Sequence, residues 1–260
     1  MRKANGLRMH ARSVFRRIFH LLLHRLGIRC FKEHSFFGTL LPQPAIIVDV
    51  GAHRGEFFAA VKSEYSISRA LLVEANPALA QSLKKTFIET DVLHAALIGR
   101  NNGNRVTFTR SIQPESSSVF REWAVAYGVA DQVEVPAVEF ASVIRELGGR
   151  VDLVKFDIEG AEVDVLKKAR ASDLNSCGQL TVEFHDRRPP ITRRDVDDVC
   201  QRMRSEGYGI VRANWPDVDD VLFVNLKSMR TLKRLEFRCR MALANALFVI
   251  RRSVFGSGYH

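Results

Sequence analysis

Apolar positions along this chain fall either in short unbroken runs or at helical spacing. The run AIIVDV at 45–50 is almost wholly apolar, as expected of a strand buried on both faces of a parallel sheet. ALLVEA at 70–75, DVLHAALI at 91–98, VDLVKFDIEG at 151–160 and QLTVEFHD at 179–186 predict further strands, with YGIVRA and DVLFVNL as two late ones. RVTFTR at 105–110, after the turn NNGN, reads as a peripheral strand. Between the runs, helices are predicted over 55–64, from Pro77 onward with Asn76 as cap, over about 140–147, from 160 through Ala169, and over 192–207. In the last of these, Val196, Val199, Cys200 and Met203 share one face. Such alternation predicts an α/β fold: a doubly wound, mostly parallel, Rossmann-like sheet with helices on both faces.

The pattern changes at both ends. Phe15, Ile18, Phe19, Leu22 and Leu26 form a helical stripe, with Arg12, Arg16 and Arg17 largely elsewhere, before LLPQP at 40–44 breaks the helix. A second amphipathic helix is expected over roughly 229–252. The chain therefore divides into a basic helical extension at 1–41, an α/β domain at 42–226 and a basic helical tail at 227–260. Charge follows the same division: of the net +10, the first segment carries +8, the last +7 and the centre −5.

Basic amphipathic helices attract phosphate or anionic lipid. No aromatic stacking platform accompanies these, which disfavours nucleic acid and leaves an anionic membrane surface, a partner protein or the core itself. Neither apolar stretch spans a bilayer: MALANALFVI has ten residues, and IFHLLLHRLGI is interrupted by His20, His24 and Arg25, with no leader cleavage site after it. Cys30, Cys177, Cys200 and Cys239 lie far apart with no C-x-x-C pair. That suggests free thiols in a cytoplasmic protein, peripheral to a membrane if its tails bind one.

In doubly wound sheets, ligands sit outside the carboxyl ends of the strands. Four clusters stand there. The first is the bend VDVGAHRG, with Asp49, Gly51, Ala52, His53 and Gly55. Its glycines permit a sharp turn and a close helix approach, but His53 replaces the middle glycine of a dinucleotide fingerprint, which disfavours NAD. Glu74, at the end of the next strand, can accept hydrogen bonds from a ribose diol. Asp157, Glu159 and Glu162 follow an apolar strand, and Glu183 and His185 end another. Buried carboxylates must be paired or bind something, and Lys155 is one available partner.

VDVGAHRGEF, LLVEANP, VDLVKFDIEGAE and VEFH, in this order, resemble the FkbM family of S-adenosylmethionine-dependent methyltransferases across about 45–226. The resemblance implies a class I methyltransferase-like fold in which Asp49, Gly51, Ala52 and Gly55 line the methionine and ribose region and Glu74 holds the ribose diol. It also implies that Asp157 and Glu159 lie at the methyl-transfer end, with Glu183 and His185 toward the acceptor. The expected reaction is O-methylation of a sugar, glycan, glycolipid or secondary-metabolite hydroxyl. His185 is the expected base, oriented by Glu183 or Asp157. Asp157, Glu159, Glu183 and His185 could instead hold a divalent metal, Mg²⁺ rather than zinc. The alternatives are a membrane-surface or nucleic-acid-binding module on the same scaffold, and an NAD-dependent oxidoreductase.

Overall fold

The computed structural model describes residues 14–255, apart from 16, 101–102, 114–115, 187–188 and 216–217. Arg12 and Arg16 therefore lie outside the described residues. A helix at 17–25 (α1) leads into an antiparallel hairpin of β1 (Ile28–Phe31) and β2 (His34–Phe37), then a 3-10 turn at Gly38–Leu40. The hairpin turn, Lys32 and Glu33, takes φ of 47° and 70°, the doubly left-handed form that matches strand twist. The helix expected to run toward residue 41 thus stops early, and a strand pair replaces it.

Alternation follows: β3 (Ala45–Val50), α2 (Glu56–Glu64), β4 (Ile67–Glu74), α3 (Pro77–Thr86) and β5 (Asp91–His94). Asn76 caps α3 by accepting the Ala78 N–H at 3.0 Å, with Pro77 first in the helix. An excursion comprises β6 (Ala96–Ile98), β7 (Arg105–Ser111), α4 (Arg121–Val125), β8 (Val129–Glu139) and α5 (Phe140–Glu146). The chain then resumes with β9 (Val151–Phe156), α6 (Glu162–Lys168), α7 (Ala171–Asn175), β10 (Cys177–Glu183) and α8 (Arg193–Ser205). It closes with β11 (Tyr208–Trp215), β12 (Val218–Asn225) and the long helix α9 (Thr231–Phe255).

Seven strands form the main sheet in the order β11-β12-β10-β9-β3-β4-β5. Every pairing from β10 through β5 is parallel, and β12 and β11 enter antiparallel. The order runs outward from β3 in both directions, so the switch point, where a crevice opens, lies between the ends of β3 and β9. DVLHAALI, expected as one strand, is two: His94 ends β5 in the main sheet, while Ala96–Ile98 pairs with β8 in a separate three-stranded sheet.

Successive strand residues point to opposite faces. Val48, Leu71, Val154 and Phe223 join one core with α5, α6 and α8, where Val196, Val199, Cys200 and Met203 are fully buried. Ile47, Leu72, Leu153 and Leu222 join the other core with α2, the hairpin, α1 and α9. The terminal helices are thus a layer of the fold. Phe19 and Leu23 of α1 are buried, whereas Ile18 and Leu22, placed on the same stripe by sequence, are exposed. Phe19 meets Phe248 of α9 edge-on, with ring centroids 5.3 Å apart. No described helix is long and apolar enough to cross a membrane.

Candidate active site

At the end of β3, Gly51 takes φ +73° and an added Cβ would overlap the Asp157 carbonyl oxygen, so only glycine lets the β3 and β9 ends approach this closely. Gly55 caps α2 at φ +76°, where a Cβ would strike the Phe87 ring. Between them His53 is also left-handed, at φ +50°. That turn aims its backbone N–H at Glu74 Oε2, 2.8 Å away, while Asn76 N–H donates to Oε1 at 2.7 Å. Glu74 therefore clasps the bend from the neighbouring strand. Burial pushes its carboxyl above the ordinary range, against those two N–H bonds. A carboxylate has about four acceptor positions, so each oxygen keeps one for a ligand.

Gly51, Ala52, His53, Glu74, Asp157 and Glu159 line one cleft of about 980 Å³, counting its solvent-open mouth. Leu79, Leu97 and Phe108 supply apolar wall. Asp49 and Gly55 do not line it. Asp49 is fully buried beneath the bend, its Oδ1 3.3 Å from Lys155 Nζ. Lys155 also donates to the Gly51 carbonyl at 2.6 Å and lies 3.3 Å from Asp157 Oδ2. Burial disfavours this ammonium, yet Asp49 and Asp157 outweigh it and hold its pKa above the usual lysine value. The same cation keeps Asp157 well below the usual carboxylate range despite burial.

The other end is a concentration of acids around two imidazoles. His185, 8% exposed, places Nδ1 3.0 Å from Glu162 Oε1; since a carboxylate only accepts, Nδ1 donates. Glu162 is itself fully buried and accepts the N–H groups of Ile158 and Gly160, folding 157–162 around its carboxylate. The residue orienting His185 is therefore Glu162, rather than Glu183 or Asp157. On the ring's other side, Nε2 lies 3.4 Å from Glu159 Oε2, 3.7 Å from Glu183 Oε1 and 3.8 Å from Asp157 Oδ1.

Burial would lower the imidazole pKa, but Glu162 and Glu159 outweigh it and hold the ring well above 6.5. The surrounding carboxylates favour positive charge at this ring, whereas the role of proton acceptor needs a neutral one. Burial raises Glu159 to about 8 and Glu183 to about 7.

Asp157 and Glu159 do not share a strand face, because β9 ends at Phe156 and Glu159 turns left-handed at φ +54°. Ser118 holds the Glu159 carbonyl at 2.7 Å, and Trp123 Nε1 donates to its Oε2 at 2.6 Å.

Sequence reasoning missed three members of this site. His34, from β2, is buried with Nε2 3.9 Å from Asp157 Oδ2 and 4.0 Å from Glu183 Oε2. Burial opposes its charge, but Asp157 and Asp220 raise it to about 9. Its hairpin is pinned to the sheet: Asp220 accepts the Ser35 N–H at 2.9 Å, and Gln179 bonds both the N–H and the carbonyl of Phe37. Trp123 and the positioning role of Glu162 were also not anticipated. The lone buried-run polar residues Gln179 and Asp220 were the available signal, since a polar side chain inside an apolar strand needs a partner.

Residues 49–210 match the methyltransferase FkbM domain family. The chain belongs to the FkbM methyltransferase family. It is a methyltransferase of the S-adenosylmethionine-dependent type, which leaves no place for the NAD-dependent alternative. It is 27% identical over 221 residues to methyltransferase sdnD of Sordaria araneosa, covering 72% of this chain and 83% of that protein. Methyltransferase 1 of Beauveria bassiana is 24% identical over 200 residues, covering 68% of this chain and 78% of that protein. Among solved structures, methyltransferase FkbM from Methylobacillus flagellatus superposes with a TM-score of 0.47 at 17% identity, over 73% of this chain and 46% of that one.

Proposed function

We propose that this methyltransferase methylates a hydroxyl oxygen of a sugar, glycan, glycolipid or secondary metabolite, with donor and acceptor at opposite ends of the cleft. The donor end fits an aminoacyl nucleoside. The bend puts Gly51, Ala52 and His53 on the cleft wall, Glu74 retains acceptor positions for a diol, and the apolar wall suits a flat ring. When bound there, S-adenosylmethionine supplies a methyl group on a positively charged sulfur.

Gly51, Ala52 and His53 would shape the donor's seat, and Glu74 would orient its ribose. Asp157, lying between Lys155 and His34, stands at the junction of the two ends. The observation supporting an oxygen acceptor is the carboxylate–histidine cluster opening into the same cleft through Asp157 and Glu159. A hydroxyl has a high pKa and gains from a group that takes its proton as attack proceeds; of these two, Glu159, raised to about 8, is the better acceptor, since Lys155 holds Asp157 low. Incubation with S-adenosylmethionine and a panel of hydroxylated acceptors, read by mass, tests this reading. An added methylene in a base-stable ether supports it; transfer only to nitrogen or carbon overturns it.

A peripheral membrane location also has a specific observation behind it. On α9, Phe237, Met241, Ala244 and Phe248 face the core, while Leu232, Leu235, Leu243 and Ile250 fall on the opposite side and are 51–84% exposed. Lys233, Arg234, Arg238 and Arg240 flank that stripe. An exposed apolar stripe between cations suits an anionic lipid interface. Flotation with vesicles containing phosphatidylglycerol, against neutral phosphatidylcholine vesicles, tests it: binding to neither rejects it.

A further inference from the structure

We propose that the acid end of the cleft is a divalent-cation site, with side chains of His185 (through Nε2), Glu159 and Asp157 as ligands, taking Mn²⁺ or Mg²⁺. The use made of the ion rests on the O-methylation reading; the site itself does not.

The spacing comes first. The three carboxylate oxygens stand 3.4, 3.7 and 3.8 Å from Nε2, and none makes a hydrogen bond to it. Ligands each about 2.1 Å from one ion are separated by about 3–4 Å. The ligand atoms of Asp157, Glu159 and His185 all lie within 4.8 Å of one another.

The ring's other nitrogen supplies an independent sign. His185 is more than nine-tenths buried, and its Nδ1 is fixed by Glu162 at 3.0 Å. Glu162 is in turn locked by two backbone N–H groups. A histidine that donates from its back nitrogen to a buried carboxylate, leaving the other aimed at further ligands, has the outer-shell support of metal-binding imidazoles.

Among the described residues, the ion-pair partners of Glu159, Glu162 and Glu183 are histidines. A second triad, His34, Asp157 and Glu183, is also compact. There, however, Lys155 Nζ already lies 3.3 Å from Asp157 Oδ2, the oxygen facing His34. The ammonium supplies positive charge on that side, and the ion belongs on the His185 side.

One imidazole nitrogen and two carboxylate oxygens form a hard donor set, which suits Mn²⁺ or Mg²⁺. A cation here, reached from the cleft through Asp157 and Glu159, would favour acceptors presenting two adjacent oxygens, such as a vicinal diol or a 2-hydroxy acid.

The test is direct binding to the full chain. Protein stripped with EDTA and freed of chelator is titrated with Mn²⁺, followed by electron paramagnetic resonance, without donor or acceptor. One Mn²⁺ per chain, displaced by Mg²⁺ and weakened about 10- to 100-fold in Glu162→Gln, is the expected result. Glu159→Gln should weaken it further, while S-adenosylmethionine binding by calorimetry shows that each variant is folded. Absence of saturable Mn²⁺ binding, or affinity unchanged in Glu159→Gln and Glu162→Gln alike, overturns the site. Ether formation without metal binding removes the cation and leaves the transfer reading standing; metal binding without ether formation does the reverse.

Discussion

The two ends of the cleft are built by different means. At the donor end the polar work is done by main chain, where Gly51, Ala52 and His53 turn sharply and two side chains, Glu74 from 21 residues away and Lys155 from 104, hold them. At the acid end side chains do nearly everything. His34, Trp123, Asp157, Glu159, Glu162, Glu183 and His185 come from four separate stretches of chain, and the Trp123–Glu159 and Thr181–His34 contacts span 36 and 147 residues. A backbone cradle follows from local φ and ψ and tolerates few substitutions. A side-chain cluster depends on the whole fold, and each charge in it sets the state of the others.

Substitutions should separate the ends. The largest effect is expected for Gly51→Ala, which forces a Cβ into the Asp157 carbonyl in a left-handed backbone. A stability loss of about 4 kcal/mol or more should appear in urea denaturation, and a variant of normal stability would show that the two strand ends are not locked together. Next comes Glu162→Ala, which strips His185 Nδ1 and two backbone N–H groups of their acceptor. Breaking such a buried pair should cost about 3 kcal/mol. In the fraction that folds, turnover should collapse while donor affinity holds; equal loss of both would erase the distinction between the ends.

Glu74→Ala should show the opposite pattern. Losing hydrogen bonds to a charged group predicts donor binding about 10- to 100-fold weaker by calorimetry, with turnover at saturating donor changed less. Undiminished affinity would remove Glu74 from the donor seat. Smallest is Leu235→Glu with Leu243→Glu on the exposed side of α9, where the stability change should stay within about 0.5 kcal/mol. Turnover on a water-soluble acceptor should be untouched and only vesicle flotation lost. Retained flotation would argue against this stripe as the lipid contact.

Legibility followed the same boundary. Features fixed by neighbours in sequence could be read directly: the Asn76–Pro77 helix start, the inward face of α8, the bend and the acid at the end of β4. The grouping of Asp157, Glu159, Glu183 and His185 at adjacent strand ends could also be read, because a parallel sheet brings such ends together. What could not be read depended on distant charge. Nothing near His185 in sequence shows that Glu162 would take its back nitrogen. Lys155 was visible as a partner for Asp157, but not its simultaneous hold on Asp49 and the Gly51 carbonyl. The break of DVLHAALI at Ala95 was hidden for a similar reason, since both halves are apolar and only their partners differ.

The β1–β2 hairpin precedes residue 49, where the family match begins, yet it delivers Lys32 and His34 to the cleft wall and fills the hydrogen-bonding needs of Gln179 and Asp220. A fragment trimmed to the matched boundaries would lose Asp220 as well, leave Gln179 without its Phe37 partner and open one side of the pocket. The short hairpin is therefore as much a wall of the cleft as the strands that the family match covers.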